Sequence, residues 1–366
     1  MSGTRLRIDG IALHPIRIPL GRTVAWASSA ETHADYMILA LSAGGLTGVA
    51  EGTVKLNFAA ATLKTLACAF EDIFAPRLVG VDALDDAALA KALSGIREHR
   101  LAKAMIDAAV WDLRAQAAGK PLWARLGGRS GDVALSYTVT RAAPAAMARE
   151  AETAVARHGF ATLKIKTGQG MARDTEALDA IRAAVGEGVT LYADSNRAYR
   201  ADDVAAVTAM LAARAIVCAE DPCALAPDRA FARIKTESAV RLLVDGPCRS
   251  LETARLFLEA GAEALSVKIG KTGIAESLAI ADAATSANAR VHVGMLAEGE
   301  LGALAAASLS SALGDPWLPC EASYFLQLPE GVLREPLAVA DGRLALPDSV
   351  GFGALVDWAR VKRLAP

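Results

Sequence analysis

Five short apolar runs decide the fold: TLKIK at Thr162–Lys166, TLYAD at Thr190–Asp194, IVCAED at Ile216–Asp221, VRLLVD at Val240–Asp245 and ALSVKI at Ala264–Ile269. Their starts lie 28, 26, 24 and 24 residues apart. Each run is rich in β-branched and aliphatic residues. Ala-rich stretches with helical spacing lie between them, as in Thr175–Val185, Ala201–Ala213 and Leu251–Ala260. The same period extends outward, to SYTVT at Ser136 on one side and to VHVGM at Val291 and PCEAS at Pro319 on the other. Eight strands alternating with helices at one period predict a (β/α)8 TIM barrel. The alternative is an open doubly wound sheet, but its glycine fingerprint is missing: Gly168-Gln169-Gly170 has no glycine three residues on.

Upstream of Gly127–Gly131 the texture changes. Leu6–Pro19 and Asp35–Gly52 are β-type runs, the second split by Ser42-Ala43-Gly44-Gly45, a hairpin signal. From Ala59 to Leu126 the pattern is helical, with Leu101–Ala117 ending before Gly119, a C-cap glycine. The expected architecture is an α+β capping domain over 1–128, a barrel over 129–340, and a return to the capping domain over 341–366.

Composition narrows the function. The chain has 366 residues, 53% hydrophobic, with 39 Lys and Arg against 41 Asp and Glu, a net charge of −2. No basic block points to nucleic acid. No apolar run approaches the roughly 20 residues of a membrane span. Met1–Gly10 lacks the apolar segment of a signal peptide. The five cysteines, without CxxC spacing, read as reduced core thiols of a cytoplasmic protein. The five histidines have no ligand spacing, and His292, opening the seventh strand, reads as structural.

Active sites of such barrels lie at the C-terminal strand ends. The last polar residues there are Lys166, Asp194, Glu220, Asp245, Lys268 and Glu321, from strands two to six and eight. Asp194, Glu220 and Asp245 end three neighbouring strands about 5 Å apart. Three crowded carboxylates need a cation, and an all-oxygen set favours Mg²⁺. Strands two and six are diametrically opposite, so Lys166 and Lys268 face each other across the site. Desolvation and a nearby cation lower a lysine's pKa toward that of a general base. Lys164 shares the inward face of Lys166 and can hold it in position.

The set resembles the enolase superfamily in its muconate-lactonizing subgroup, the mandelate racemase/muconate lactonizing enzyme family. The resemblance is carried by Lys164 and Lys166 in TLKIKTG, Asp194 and Asn196 in ADSN, Glu220 in AEDP, Asp245 in LLVDG and Lys268 in SVKIG. KAMIDAAVWDLRAQAAGKPLWARLGG (Lys103–Gly128), GLTGVAEG (Gly45–Gly52) and DGRLALPDSVGFGALVD (Asp341–Asp357) extend it over almost the whole chain. The resemblance implies a Mg²⁺-dependent enzyme in which a lysine abstracts a proton α to a substrate carboxylate and an enediolate forms. It also implies substrate contacts by Asn196, by Glu298 (Glu300 being its rival) and by Glu321, and a homo-oligomer.

Two departures stand out. Gly246-Pro247 follows Asp245 where the family has Asp-Glu-Ser, so a carboxylate beside the metal is lost. The seventh-strand end, GMLAEGELG, is one residue longer than in relatives. PCEASYF and the paired lysines resemble the amino-acid racemase and dipeptide-epimerase branches. Racemisation or epimerisation of an N-acyl amino acid or dipeptide is therefore the expected reaction. A muconate-type cycloisomerase, a syn-dehydratase, a Schiff-base aldolase using either lysine and a non-catalytic barrel remain open. Specificity is expected around Thr23–Ser29 and Thr53–Phe58.

Overall fold

The computed structural model describes residues 5–25, 30–314 and 316–366. An antiparallel sheet opens the chain, with β1 (Ile8–Ala25), β2 (Ala30–Ala43) and β3 (Leu46–Thr53) in sequential order. The β2–β3 hairpin turns on Gly44 and Gly45, with φ of +55° and +81°. Two consecutive left-handed residues make the turn whose twist matches its strands, and glycine adopts them without Cβ strain. Part of the segment expected to separate β1 from β2 is itself strand: β1 runs on to Ala25 and β2 begins at Ala30, while Trp26–Ser29 lie outside the described residues.

The long helix α1 (Arg100–Ala117) buries its apolar face on β3. The approach is close: a Cβ on Gly48 would stand 2.2 Å from the Ala109 carbonyl, and one on Gly52 would stand 2.3 Å from Met105 Sδ. Asp112 on α1 is wholly buried and accepts the backbone N–H groups of Val49 and Phe352, both at 2.9 Å. It thus joins β3 to the C-terminal segment. The Leu364 carbonyl accepts the Arg17 N–H at 2.9 Å, so the chain end returns to β1.

The barrel strands are Tyr137–Val139, Thr162–Lys166, Thr190–Asp194, Ile216–Glu220, Arg241–Leu243, Ala264–Val267 and Arg290–Val293. The first five pair in parallel order, the sixth pairs with the seventh, and a Val244–Leu265 bridge joins the groups. PCEAS does not form a full eighth strand. Cys320 makes a single parallel bridge to Leu135, and the Glu321 N–H donates to the Val293 carbonyl at 3.0 Å. The barrel closes through these contacts. A short 3-10 turn at Tyr324–Gln327 follows in place of an eighth helix. Packed between helices and barrel interior, the strand interiors are buried on both faces apart from exposed Val217 and half-buried Val291, which is why they read as continuous apolar runs.

Four of the cysteines are buried and Cys68 is exposed, so Cys68 is not a core thiol. Among the described residues no helix is long and apolar enough to cross a membrane.

Candidate active site

Strand register brings the acids together. Lys166 pairs with Asp194, and Asp194 with Glu220, at the C-terminal ends of strands two, three and four. Lys164, two residues inside the barrel, is 1% exposed and stands among acids: Glu220 Oε2 at 2.8 Å, Glu321 Oε1 at 2.8 Å and Asp194 Oδ2 at 3.1 Å. Lys166 Nζ donates to Asp194 Oδ2 at 2.6 Å and to Asn196 Oδ1 at 3.3 Å. Lys268 Nζ donates to Asp245 Oδ2 at 2.6 Å. Asp245 also accepts Lys271 Nζ through Oδ1 at 2.8 Å.

These neighbours set the protonation states. Burial opposes the Lys268 charge, but Asp245 and Glu220 outweigh it and hold the ammonium above its ordinary pKa. Lys164 shifts the same way, burial being outweighed by Glu220, Glu321 and Asp194. The pKa of Lys268, expected to fall, therefore rises, because its ammonium faces carboxylates. Burial would raise Asp194, yet Lys166 and Lys164 bring it down to about 2. Glu220 goes well above the carboxylate range through burial and the nearby Asp194 charge.

Glu220 is the site's unbalanced group. Lys164 lies within ion-pair distance of it but off the direction of a hydrogen bond, and both Glu220 oxygens are buried without a donor. Among the described residues no three acidic, histidine or cysteine side chains converge as a finished metal cage, since lysine ammoniums stand among the acids. The donor set still suits a hard divalent cation: carboxylates from three adjacent strands, one of them buried with neither oxygen hydrogen-bonded.

A cavity of about 280 Å³ lies above the strand ends, lined by Lys166 and Lys268 and by Asn196 and Asp245. The long-range partners of strand two and strand six thus share one chamber. Glu321 does not line it. It is fully buried, and its Oε1 meets Lys164, Tyr192 Oη at 2.8 Å and His292 Nε2 at 3.0 Å, while Oε2 accepts the Met295 N–H at 3.1 Å. His292, read from sequence as structural, shares Glu321 Oε1 with Lys164. Glu298 is buried behind the cavity-lining Met295–Ala297, with Oε2 accepting the Leu296 N–H at 2.8 Å, and burial lifts it to about 7. Its rival Glu300 spends its carboxylate on the N–H groups of Leu333 and Leu337, at 2.9 and 3.2 Å.

Three further cavity residues are not among the strand-end residues picked out by the period. Arg141 donates to the Thr167 and Ser195 carbonyls at 2.7 and 3.0 Å, tying together the ends of strands two and three. Lys55 enters from the capping domain and donates to Glu31 at 2.7 Å. Asp221 accepts the N–H groups of Asp245 at 3.0 Å and Gly246 at 2.8 Å. A Cβ at Gly246 would stand 2.9 Å from Asp221 Oδ2, so Asp221 occupies space that a side chain at 246 would claim.

Comparisons agree with this architecture. Residues 8–127 match the mandelate racemase / muconate lactonizing enzyme N-terminal domain, and 146–360 match the enolase C-terminal domain-like family. The chain is 28% identical to an N-succinylamino acid racemase of Thermus thermophilus, covering 98% of this chain and 97% of the relative. It is also 28% identical to muconate cycloisomerase 1-2 of Acinetobacter lwoffii, over 88% and 86%. The dipeptide epimerase of Enterococcus faecalis, solved with Mg and the dipeptide L-Leu-L-Tyr, superposes with a TM-score of 0.88 at 26% identity, covering 95% of this chain and 99% of that one. The chain is an isomerase and belongs to the mandelate racemase / muconate lactonizing enzyme family of the enolase superfamily.

Proposed function

We propose that this enzyme racemises or epimerises an amino-acid derivative, an N-acyl amino acid or a dipeptide, by moving the proton α to its carboxylate. The observation that carries this reading is the placement of Lys166 and Lys268. They line one cavity from opposite barrel strands, each hydrogen-bonded to an acid of the adjacent strand. Asp194, Glu220 and Asp245 would hold Mg²⁺, the cation supported by the donor set. When bound, a divalent cation neutralises the charge that gathers on the substrate carboxylate as the proton leaves.

The chain's own residues do the rest. One lysine takes the α-proton as base while the other, as ammonium, delivers a proton to the opposite face. Asp194 and Asp245 aim the two amines, Asn196 helps to place Lys166, and Lys164 balances the acids from below. Glu321 anchors Lys164. The capping-domain residues Lys55, Asn57 and Phe58 line the cavity on the side facing the barrel strand ends.

A screen of dipeptides, N-acyl amino acids and hydroxy-acids in D₂O with Mg²⁺ tests the reading. Deuterium at the α-carbon of both enantiomers, read by mass, is the expected result. A second reading, a muconate-type cycloisomerase, is favoured by equal identity to the Acinetobacter lwoffii relative. Lactone formation from cis,cis-muconate with no exchange into any amino-acid derivative would replace the first reading with the second.

A further inference from the structure

Lys268 is held at both ends. Its amine donates to Asp245. Its backbone rests on Thr272, whose Oγ1 donates to the Lys268 carbonyl at 3.1 Å and lies 3.4 Å from the Lys268 nitrogen. The Thr272 N–H donates to the same carbonyl at 2.9 Å, closing the short helix Ile269–Thr272 directly behind the lysine. Ser277 Oγ continues the path, 2.7 Å from Thr272 Oγ1 and 2.5 Å from the Gly273 carbonyl. Thr272 and Ser277 are buried, so water does not compete for these hydroxyls.

The path ends in the other domain. Asp107 stands on α1, and its Oδ2 accepts the N–H groups of Ile274 at 2.5 Å and Ala275 at 3.0 Å. These donors open the helix Ala275–Ser286 and have no partner within it, and a carboxylate suits its positive end. Gly273 permits the approach: its φ is +66°, and a Cβ there would stand 2.7 Å from Asp107 Oδ2. α1 also packs on Ile269–Thr272, where a Cβ on Gly270 would stand 3.5 Å from Leu101 Cδ1.

Lys166 is held differently. The turn after it is tied within the barrel, where Asp174 accepts the N–H groups of Gly168 at 2.5 Å and Gln169 at 3.1 Å. Among the described residues α1 makes no hydrogen bond to this turn. A carboxylate that merely joined the two domains would, on removal, disturb both lysines alike. Asp107 is instead linked through Gly273, Ser277 and Thr272 to the backbone of Lys268 alone.

Resting on the function proposed above, we infer that Asp107 is a positioning residue for Lys268. The capping domain thereby sets the aim of one of the two proton-transfer lysines and leaves the other to the barrel. Asp245 fixes the amine, and Asp107 fixes the main chain from which that amine extends.

The test places Asp107→Ala in the Lys166→Ala and Lys268→Ala backgrounds and follows α-deuterium exchange in D₂O with the compound that exchanges best in the screen above. Where Lys268 is the sole base, exchange should fall at least about tenfold, within the roughly 100-fold that a misplacement of about 1 Å costs. Where Lys166 is the sole base, it should fall less than about twofold, since nothing near that lysine has moved. Asp107→Asn keeps an oxygen for both N–H groups and should restore most of the loss. Amide hydrogen exchange of the wild-type and Asp107→Ala proteins, read by mass, should show protection lost over Lys268–Ser277 and kept over Lys166–Gly170. If Asp107→Ala does not fold, Asp107→Ser carries the same comparison. Equal losses in the two backgrounds, or unchanged protection of Lys268–Ser277, would overturn the inference. Absence of α-exchange in the wild-type enzyme would overturn the proposed function instead, while the amide protection still reads the link from Asp107 to Lys268.

Discussion

Lys164 and Glu321 meet at 2.8 Å beneath the cavity, joining strand two to the bridge that closes the barrel. Both are buried, and Glu321 carries two further contacts on the same oxygen, from Tyr192 and His292. Such a pair contributes mainly through what its removal leaves behind: a buried charge with fewer partners. Here it also fixes Lys164 against Asp194 and Glu220.

Glu321→Gln keeps the shape but removes the charge. Asp194 and Glu220 still face Lys164, so the expected loss of stability is about 1–3 kcal/mol rather than that of an orphaned ion. Because Glu321 does not line the cavity, kcat and kcat/KM should fall together. A rise in KM at constant kcat would return Glu321 to the substrate contact expected from sequence.

Asp245→Asn should weaken Mg²⁺ binding by more than about 100-fold, beyond the usual effect of losing an outer partner of a ligand. It should also release Lys268 and Lys271, whose ammoniums both rest on Asp245. Calorimetry with Mg²⁺ alone measures the first effect without substrate. Unchanged affinity would remove Asp245 from the metal set.

Restoring the family's glutamate at position 246 should harm this enzyme. The new Cβ would stand 2.9 Å from Asp221 Oδ2, and the carboxylate of Gly246→Glu would crowd that of Asp221. Asp221 would have to leave the Asp245 and Gly246 N–H groups. Gly246→Glu should therefore lose stability by about 1–3 kcal/mol, and the double variant with Asp221→Ser should recover much of it. Additive losses across that thermodynamic cycle would show that the two positions do not share one space.

The domain interface should make the fold lose stability as the pH rises through neutrality. Glu51 on β3 accepts the Gly299 N–H at 2.7 Å, and burial, with Glu298 nearby, lifts its carboxyl to about 8. A raised carboxyl pKa means that the folded chain holds its proton while the unfolded chain releases it. Stability then falls as pH rises from about 4.5 to 8 and levels off above, by at most about 1.4 kcal/mol per pH unit. Glu51→Gln keeps an acceptor for Gly299 and should flatten the fall in Tm between pH 6 and 8. Parallel Tm profiles for the two proteins would exclude Glu51 as the source.

The barrel was legible because parallel strands buried on both faces must be apolar throughout. The polar residues that end them, Lys166, Asp194 and Glu220, then stand out at the same period. Glu321's setting was not legible. Its strand is reduced to the Cys320 bridge, and its partners Tyr192 and His292 lie inside other strands where a polar residue looks structural. Arg141 and Lys55 were missed for a different reason: they stand on loops outside the strands, and loops carry no period. Gly246 was visible as a departure, but its meaning depended on Asp221, which only folding brings against it.

The two lysines give the sharpest separation of reaction types. Lys166 and Lys268 line the cavity from strands two and six, which are opposite in the barrel, so each reaches one face of a planar intermediate. In a racemase each lysine is the base for one enantiomer and the acid for the other. Lys166→Ala and Lys268→Ala should then both abolish racemisation, lowering kcat by at least about 100-fold, the scale of a lost general acid or base. Each variant should still exchange the α-proton of one enantiomer with D₂O, and the two should differ in which enantiomer that is. Asp194 and Asp245 remain to hold the surviving amine, which is why exchange persists. A cycloisomerase or dehydratase needs one base only, so one variant would lose all exchange and the other would merely slow. Loss of exchange with both enantiomers in a single variant, folded and still binding Mg²⁺, would rule out racemisation.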